Sequence, residues 1–63
     1  HKHFNDYLNE CRVEEAKKLL MTNRLTVKEI GYRTGFNSVQ NFIRVFKRYE
    51  NVTPGQYRDL KRG

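Results

Sequence analysis

Residues 25–60 decide the fold, and they read LTVKEIGYRTGFNSVQNFIRVFKRYENVTPGQYRDL. This stretch holds two helical patterns, each preceded by a residue type that commonly caps a helix, and residues 34–37 form a short turn between them. The second pattern is strongly basic. Two capped helices joined by so short a turn predict a helix-turn-helix arrangement.

The first of these two helices begins with a capping box. Thr26 can accept a hydrogen bond from the backbone of Glu29, and the Glu29 side chain can return to the Thr26 amide. Gly35 suits the left-handed conformation that ends many helices. Because Gly31 costs about 1 kcal/mol relative to Ala inside a helix, we expect that its missing side chain lets another helix approach closely.

The second helix begins after Asn37 or Ser38, either of which is a good cap, and runs to about residue 49 or 50. Its side chains divide into an apolar and a polar face. The apolar face consists of Phe42, Val45, Phe46 and Tyr49. The polar face consists of Gln40, Asn41, Arg44, Lys47 and Arg48. Val39 and Ile43 lie on the border between the two faces.

A short closing helix follows. Asn51 can adopt the left-handed conformation that ends the preceding helix, Thr53 can cap the next one, and Pro54 stands at its first position. We expect Tyr57 and Leu60 to dock this closing helix on the rest of the chain.

A helical stretch over residues 4–22 precedes this segment, and its apolar residues lie on two opposite sides. One side carries Phe4, Tyr7, Leu8 and Cys11, and the other carries Val13, Ala16 and Leu20. The second side can pack on residues 25–60, whereas the sequence offers no evident partner for the first. Four helical stretches without strand-like alternation predict an all-α fold.

The basic charge is concentrated in the later part of the chain. Residues 1–23 carry four basic and four acidic side chains, whereas residues 24–63 carry nine basic and three acidic ones, which accounts for the whole net charge of +6. A chain of 63 residues can form one small core. The basic excess favours an anionic partner such as nucleic acid.

Other classes of function find little support in the sequence. Cys11 is the only cysteine, which excludes an internal disulfide, and we expect it to be a small buried hydrophobe. His1 and His3 lack a third ligand, so we expect no metal and no cofactor. No catalytic Ser-His-Asp set, paired-carboxylate cleft or phosphate-binding glycine loop indicates an enzyme. We see no membrane span or signal peptide and expect a cytoplasmic protein.

The helix from residue 38 to about residue 49 carries side chains suited to the major groove of DNA. Gln40 can pair with adenine and Arg44 with guanine, while Val39 and Ile43 can meet a thymine methyl or, equally well, pack at the edge of the core. The predicted base contacts are Val39, Gln40, Ile43 and Arg44. The predicted phosphate contacts are Arg33, Ser38, Asn41, Lys47 and Arg48. Any single basic side chain among them could equally be a solvated surface charge, so the prediction depends on the cluster.

The spacing of several residues resembles the C-terminal part of the DNA-binding domain in the AraC/XylS family of bacterial transcription regulators. The linking helix of that family has counterparts in Arg12, Ala16, Leu19 and Leu20. Its second helix-turn-helix and closing helix have counterparts in Ile30, Gly35, Phe36, Phe42, Phe46, Lys47, Pro54, Tyr57 and Arg58. Gly31 stands where the family usually has Ala, and Asn51 where it usually has Gly.

The resemblance implies a domain of two helix-turn-helix units joined by a linking helix. Residues 1–24 would be the linking helix with the tail of a missing first unit. Residues 25–63 would be the second unit, a homeodomain-like three-helical core with its closing helix. The resemblance also implies sequence-specific binding to double-stranded DNA, contacts with RNA polymerase, and a separate sensing or receiver domain. The alternative is a protein-interaction or dimerisation module that uses the apolar face of the first helix.

Overall fold

Four α-helices make up the chain in the computed structural model, which describes residues 4–22 and 24–62. They are α1 (Phe4–Thr22), α2 (Val27–Arg33), α3 (Val39–Glu50) and α4 (Pro54–Arg62), and those two ranges contain no strand. The predicted all-α class is confirmed. His1 and His3 lie outside the described residues, as does the side chain of Phe4.

α1 is the longest helix and contacts each of the other three. Its side with Val13, Ala16 and Leu20 is almost completely buried. The residues that complete this core come from α2, the turn and α3, and they are Ile30, Phe36, Phe42, Val45 and Phe46. On the other side of α1, Tyr7 is 58% exposed. The predicted division of α1 into a core side and an unpartnered side is therefore confirmed for Tyr7 and Cys11, which are exposed, whereas Leu8 is half-buried.

A row of aromatic rings joins the turn, α3 and α4. The rings of Phe36 and Phe42 lie 5.2 Å apart between their centroids, and those of Phe42 and Phe46 lie 5.8 Å apart. The Tyr57 ring then packs on Phe46 at 5.5 Å with an interplanar angle of 75°. Such edge-to-face pairs add stabilisation beyond the burial of area, so the row fixes α3 between its neighbours.

Two predictions about burial are wrong. Cys11 is exposed because it lies on the side of α1 that faces away from the core. There its thiol raises the Tyr7 pKa above the ordinary value of 10.0, chiefly through side-chain hydrogen bonding. Leu60 is 69% exposed. It projects about 120° away from the buried Pro54 on α4, because six residues separate them on a helix with about 3.6 residues per turn.

Arg58 takes the docking role that the sequence assigned to Leu60. Its Nε donates to the Leu20 carbonyl at 3.1 Å, and its Nη2 donates to the Leu25 carbonyl at 2.8 Å. Leu20 lies in the last turn of α1, where carbonyls have no partner within the helix. One guanidinium thus closes the end of α1 and joins it to α4.

The predicted close approach at Gly31 is confirmed. A Cβ atom there would lie 3.0 Å from Cδ2 and 3.1 Å from Cβ of Phe42. Both residues are buried, and Phe42 Cβ is too near the backbone to move without a shift of α3. The small side chain therefore sets how closely α2 and α3 pack.

The predicted caps of α2 and α4 are also confirmed. Thr26 Oγ1 accepts from the Glu29 amide at 3.1 Å, and Glu29 Oε1 accepts from the Thr26 amide at 3.1 Å. Thr53 and Gln56 make the same reciprocal pair at the start of α4. The amide and then the hydroxyl of Thr26 lower the Glu29 pKa from its ordinary value of 4.5.

We predict that Arg58→Met lowers the free energy of unfolding by about 1.5–3 kcal/mol, because two carbonyls lose a charged donor. Urea unfolding followed by circular dichroism measures this. Lys28→Met, which removes an exposed lysine of α2, is the matched control and should change stability by less than about 0.5 kcal/mol. Equal losses in the two variants would show that only net charge matters.

We predict that Gly31→Val lowers the free energy of unfolding by about 1–3 kcal/mol, because its side chain overlaps Phe42. Gly31→Ala should be nearly neutral, since a gain in helix propensity of about 1 kcal/mol offsets the tight contact. Thermal unfolding of both variants tests this. Equal stability of the Val and Ala variants would contradict a tight approach of α2 and α3.

We predict that the difference in free energy of unfolding between the wild type and Glu29→Gln varies with pH in the acid range. The folded-state pKa of Glu29 is lowered, so its ionised form adds stability above its ordinary pKa of 4.5 and loses it as the pH falls through the folded value. Gln keeps the acceptor oxygen but does not titrate. Unfolding of both proteins at a series of pH values should show the difference shrinking toward acid, and a constant difference would contradict the assignment.

Candidate nucleic-acid interface

The turn between α2 and α3 satisfies the carbonyls at the end of α2. Gly35 has φ of 101°, and its amide donates to the Tyr32 carbonyl at 3.2 Å. The next amide, of Phe36, donates to the Gly31 carbonyl at 3.0 Å. Together these two bonds form a Schellman motif, in which only glycine adopts the required conformation without strain. Because the Phe36 side chain is buried in the core, the turn holds α3 at a defined angle to α2.

Thr34 and Arg12 stabilise this turn through contacts on its inner side. The Thr34 side chain is buried, and its hydroxyl donates to the Ile30 carbonyl at 2.8 Å. The Arg12 guanidinium lies over the Phe36 ring, 5.7 Å from its centroid. A Cβ atom at Gly35 would lie 3.0 Å from Arg12 Nε. The sequence predicted no contact for Arg12, and its only signal was its place in the motif of the linking helix.

α3 begins after Ser38, which settles the choice that the sequence left between Asn37 and Ser38. Ser38 has an extended backbone, and its Oγ accepts from the Asn41 amide at 3.1 Å. At the other end of α3, Asn51 has φ of 67° and its amide donates to the Lys47 carbonyl, as expected for a left-handed stop. The cap uses the Ser38 oxygen as acceptor and leaves its hydroxyl hydrogen as a donor.

The predicted DNA-contacting side chains follow the outer surface of α3. Gln40, Arg44 and Lys47 are exposed, whereas Val39 and Ile43 are half-buried beside them and lie outside the core cluster. The predicted border position of these two aliphatic residues is confirmed. Half-buried aliphatic side chains next to exposed polar ones present methyl groups and hydrogen-bonding groups on one surface.

One hydrogen bond links two polar residues of this surface. Arg44 Nη2 donates to Asn41 Oδ1 at 2.6 Å. Arg44 is exposed, and Asn41 is half-buried. Arg33, the remaining predicted contact on the preceding helix, is exposed in the last turn of α2.

The C-terminal half of α3 lies near acidic side chains of α1. Arg48 and Tyr49 line a shallow depression together with Asp6 and Glu10, and the Tyr49 hydroxyl donates to the Asp6 carbonyl at 3.3 Å. These carboxylates offset part of the positive charge at Arg48. Of the three basic residues of α3, Arg44 and Lys47 lie outside this depression and are exposed.

A lysine of α1 bridges to the end of α3. Lys17 Nζ lies 3.1 Å from Glu14 Oε2 and 3.4 Å from Glu50 Oε2. The hydrogen bond to Glu14, with the charge of Glu50, raises the Lys17 pKa above its ordinary value of 10.5. This ion pair ties the end of α3 to α1.

Within residues 4–22 and 24–62, none of the helices combines the length and apolar character needed to cross a bilayer. The same part of the chain contains no group of three or more His, Cys, Asp or Glu side chains arranged to hold a metal ion.

Comparisons with known proteins give this surface a context. A family model described as a helix-turn-helix domain matches residues 1–60. The HTH-type transcriptional regulator YtdP of Bacillus subtilis is 41% identical over 59 residues, which are 94% of this chain and 8% of that protein. The chain therefore spans only a small part of this relative.

Two solved structures are similar in both sequence and fold. The C-terminal domain of the two-component response regulator YesN from Fusobacterium nucleatum is 47% identical with a TM-score of 0.87, over 90% of this chain and 55% of that one. The DNA-binding domain of AdpA, solved in complex with a target DNA, is 31% identical with a TM-score of 0.94, over 97% of this chain and 55% of that one. From the helix-turn-helix match and these relatives together, the chain belongs to the AraC/XylS family of bacterial transcription regulators.

Proposed function

We propose that this chain binds double-stranded DNA in a sequence-specific manner as part of a bacterial transcription regulator, with α3 inserted into the major groove. The observation that carries the proposal is the outer surface of α3, where polar and basic side chains stand exposed on a helix whose opposite face is locked in the core. The similarity to the DNA-binding domain of AdpA supports it. An α-helix fits the major groove, and the first turns of such a helix reach the base edges.

The base contacts in this proposal are Val39, Gln40, Ile43 and Arg44. Gln40 offers a donor and an acceptor that match adenine, and Arg44 offers parallel donors that match N7 and O6 of guanine. The half-buried Val39 and Ile43 present methyl groups toward thymine. Readout would thus combine two hydrogen-bonded contacts with apolar contacts.

The phosphate contacts in this proposal hold α3 in register and carry no sequence information. They are Arg33, Ser38, Asn41, Lys47 and Arg48. Lys47 is exposed on α3 and Arg33 on α2, so these two can reach the backbone on either side of the groove. Arg48 should contribute less, because Asp6 and Glu10 line the same depression.

We place residues 1–24 in a linking helix and residues 25–63 in the second of two helix-turn-helix units. The chain spans about half of each matched DNA-binding domain, which leaves room for a first unit. The exposed Tyr7 and Cys11 on α1 form a surface that such a unit would cover. In the parent protein we further propose a separate sensing or receiver domain, contacts with RNA polymerase and a cytoplasmic location.

A second candidate function is self-association through the same surface of α1. The exposed fraction of Tyr7 favours it, because unpaired aromatic side chains mark many interaction sites. Analytical ultracentrifugation distinguishes self-association from DNA binding by a monomer. A monomer at high concentration that still binds DNA in a salt-sensitive manner would exclude dimerisation as the main function.

Selection of binding sites from a random pool of DNA duplexes tests the proposed function. The chain should enrich a short motif, and its affinity should fall steeply with salt, with a log-log slope near −3.6 for about four neutralised phosphates. Enrichment of no motif at low salt, even by a form extended to two units, would contradict sequence-specific binding.

We predict that Arg44→Ala relaxes the preference at one base pair of the selected site and costs about 1–3 kcal/mol of binding free energy there. Lys47→Ala is the matched control on the same helix. It should weaken binding to all duplexes alike and reduce the salt slope by about 0.9. If Arg44→Ala also weakened selected and random duplexes equally, Arg44 would be a phosphate contact.

A further inference from the structure

We infer that Asn41 is a positioning residue for Arg44, and that its side chain sets base specificity by orienting that guanidinium rather than by contacting a phosphate. The inference deepens the proposed function and rests on it, and for Asn41 alone it replaces the phosphate contact proposed above. Its starting point is the hydrogen bond of 2.6 Å from Arg44 Nη2 to Asn41 Oδ1. The two residues are three apart on α3, a spacing at which helical side chains meet.

A comparison of α2, α3 and α4 shows that this use of the Asn41 side-chain amide is distinctive. Glu29 and Gln56 each occupy the third position of their helix, and each returns its side-chain oxygen to the backbone amide of the capping residue. Asn41 occupies the same position in α3, and its amide likewise donates to the cap, Ser38. Its side-chain oxygen, however, accepts from Arg44. Asn is one methylene shorter than Gln or Glu, which disfavours the return to the cap.

The bond leaves Arg44 able to recognise a base. A guanidinium has five N–H donors, and Asn41 occupies one of them. Nη2 keeps a second hydrogen and Nη1 keeps two, so a parallel pair remains for the N7 and O6 atoms of guanine. Arg44 is otherwise an exposed side chain with many rotamers. The hydrogen bond to the half-buried Asn41 restricts those rotamers before DNA binds, which lowers the entropy lost on binding.

A positioning role of Asn41 and a phosphate contact predict different effects on DNA binding when the side chain is removed. A lost phosphate contact weakens binding to every duplex alike. A lost positioning contact acts only through Arg44, so it reduces discrimination at the base pair that Arg44 reads. It has no effect once Arg44 itself is absent.

The experiment measures dissociation constants of the chain for the selected duplex and for duplexes changed at the Arg44-dependent base pair. Asn41→Ala should lower discrimination at that base pair by about 2- to 10-fold, the range expected for ordering one long side chain. The cap should persist, because it uses the Asn41 backbone amide. In the Arg44→Ala background the same change should have no further effect on discrimination.

Asn41→Gln separates positioning from a structural role. The longer side chain can return to the Ser38 amide, as Gln56 does to Thr53, and so release Arg44. We expect the stability of the fold to be kept or raised while discrimination falls. Retained discrimination in both Asn41 variants, or an equal loss on all duplexes, would overturn the inference while leaving the proposed function intact.

A measurement without DNA gives an independent check. Nuclear magnetic resonance relaxation of the Arg44 Nε–H group should show a more mobile guanidinium in Asn41→Ala than in the wild type. Unchanged mobility would overturn the inference. If neither the wild-type chain nor the form extended to two units enriches a motif, both the proposed function and this inference fail, which the selection experiment reveals before any variant is made.

Discussion

The position of α3 depends on how α2 ends. At that point the amides of Gly35 and Phe36 bond to carbonyls of the last turn of α2, and Phe36 inserts into the core. Gly31 allows Phe42 to approach within van der Waals contact of the same turn. These constraints act at one place, so the angle and the distance between the two helices are set together. The polar surface of α3 is therefore held by a rigid junction.

α1 supports that junction from the opposite side. Its buried residues pack in the core, and its Arg12 lies over the Phe36 ring. Arg58 of α4 donates a hydrogen bond to a carbonyl in the last turn of α1. Its acidic residues also lie beside the C-terminal half of α3. α1 thus places two carboxylates beside Arg48, whereas Arg44 and Lys47 remain exposed.

The two ends of α3 differ in what their side chains can do. Near the N-terminus, the cap at Ser38 is followed by the Asn41–Arg44 hydrogen bond, and exposed polar groups alternate with half-buried aliphatic ones. Near the C-terminus, Tyr49 and Glu50 are tied to α1 by a hydrogen bond and an ion pair. The first two turns are thus left to face a groove, while in the last turn Tyr49 and Glu50 hold the helix on α1 and Lys47 remains exposed.

Much of this structure was predictable from local sequence. The bounds of the helices, the caps at Thr26 and Thr53, and the left-handed residues Gly35 and Asn51 follow from interactions between residues a few positions apart. The buried face of α3 follows from helical periodicity. The spacing of the motif residues also identified the family correctly.

The tertiary structure alone decided which side chains meet across the helices. Leu60 is an apolar residue on a plausible docking face, yet it is exposed because the packing of α4 turns that face to solvent. Arg58 bonds to carbonyls 33 and 38 residues away, which no local pattern encodes. Periodicity tells which residues of a helix share a face, but only the arrangement of all four helices determines which faces have a partner.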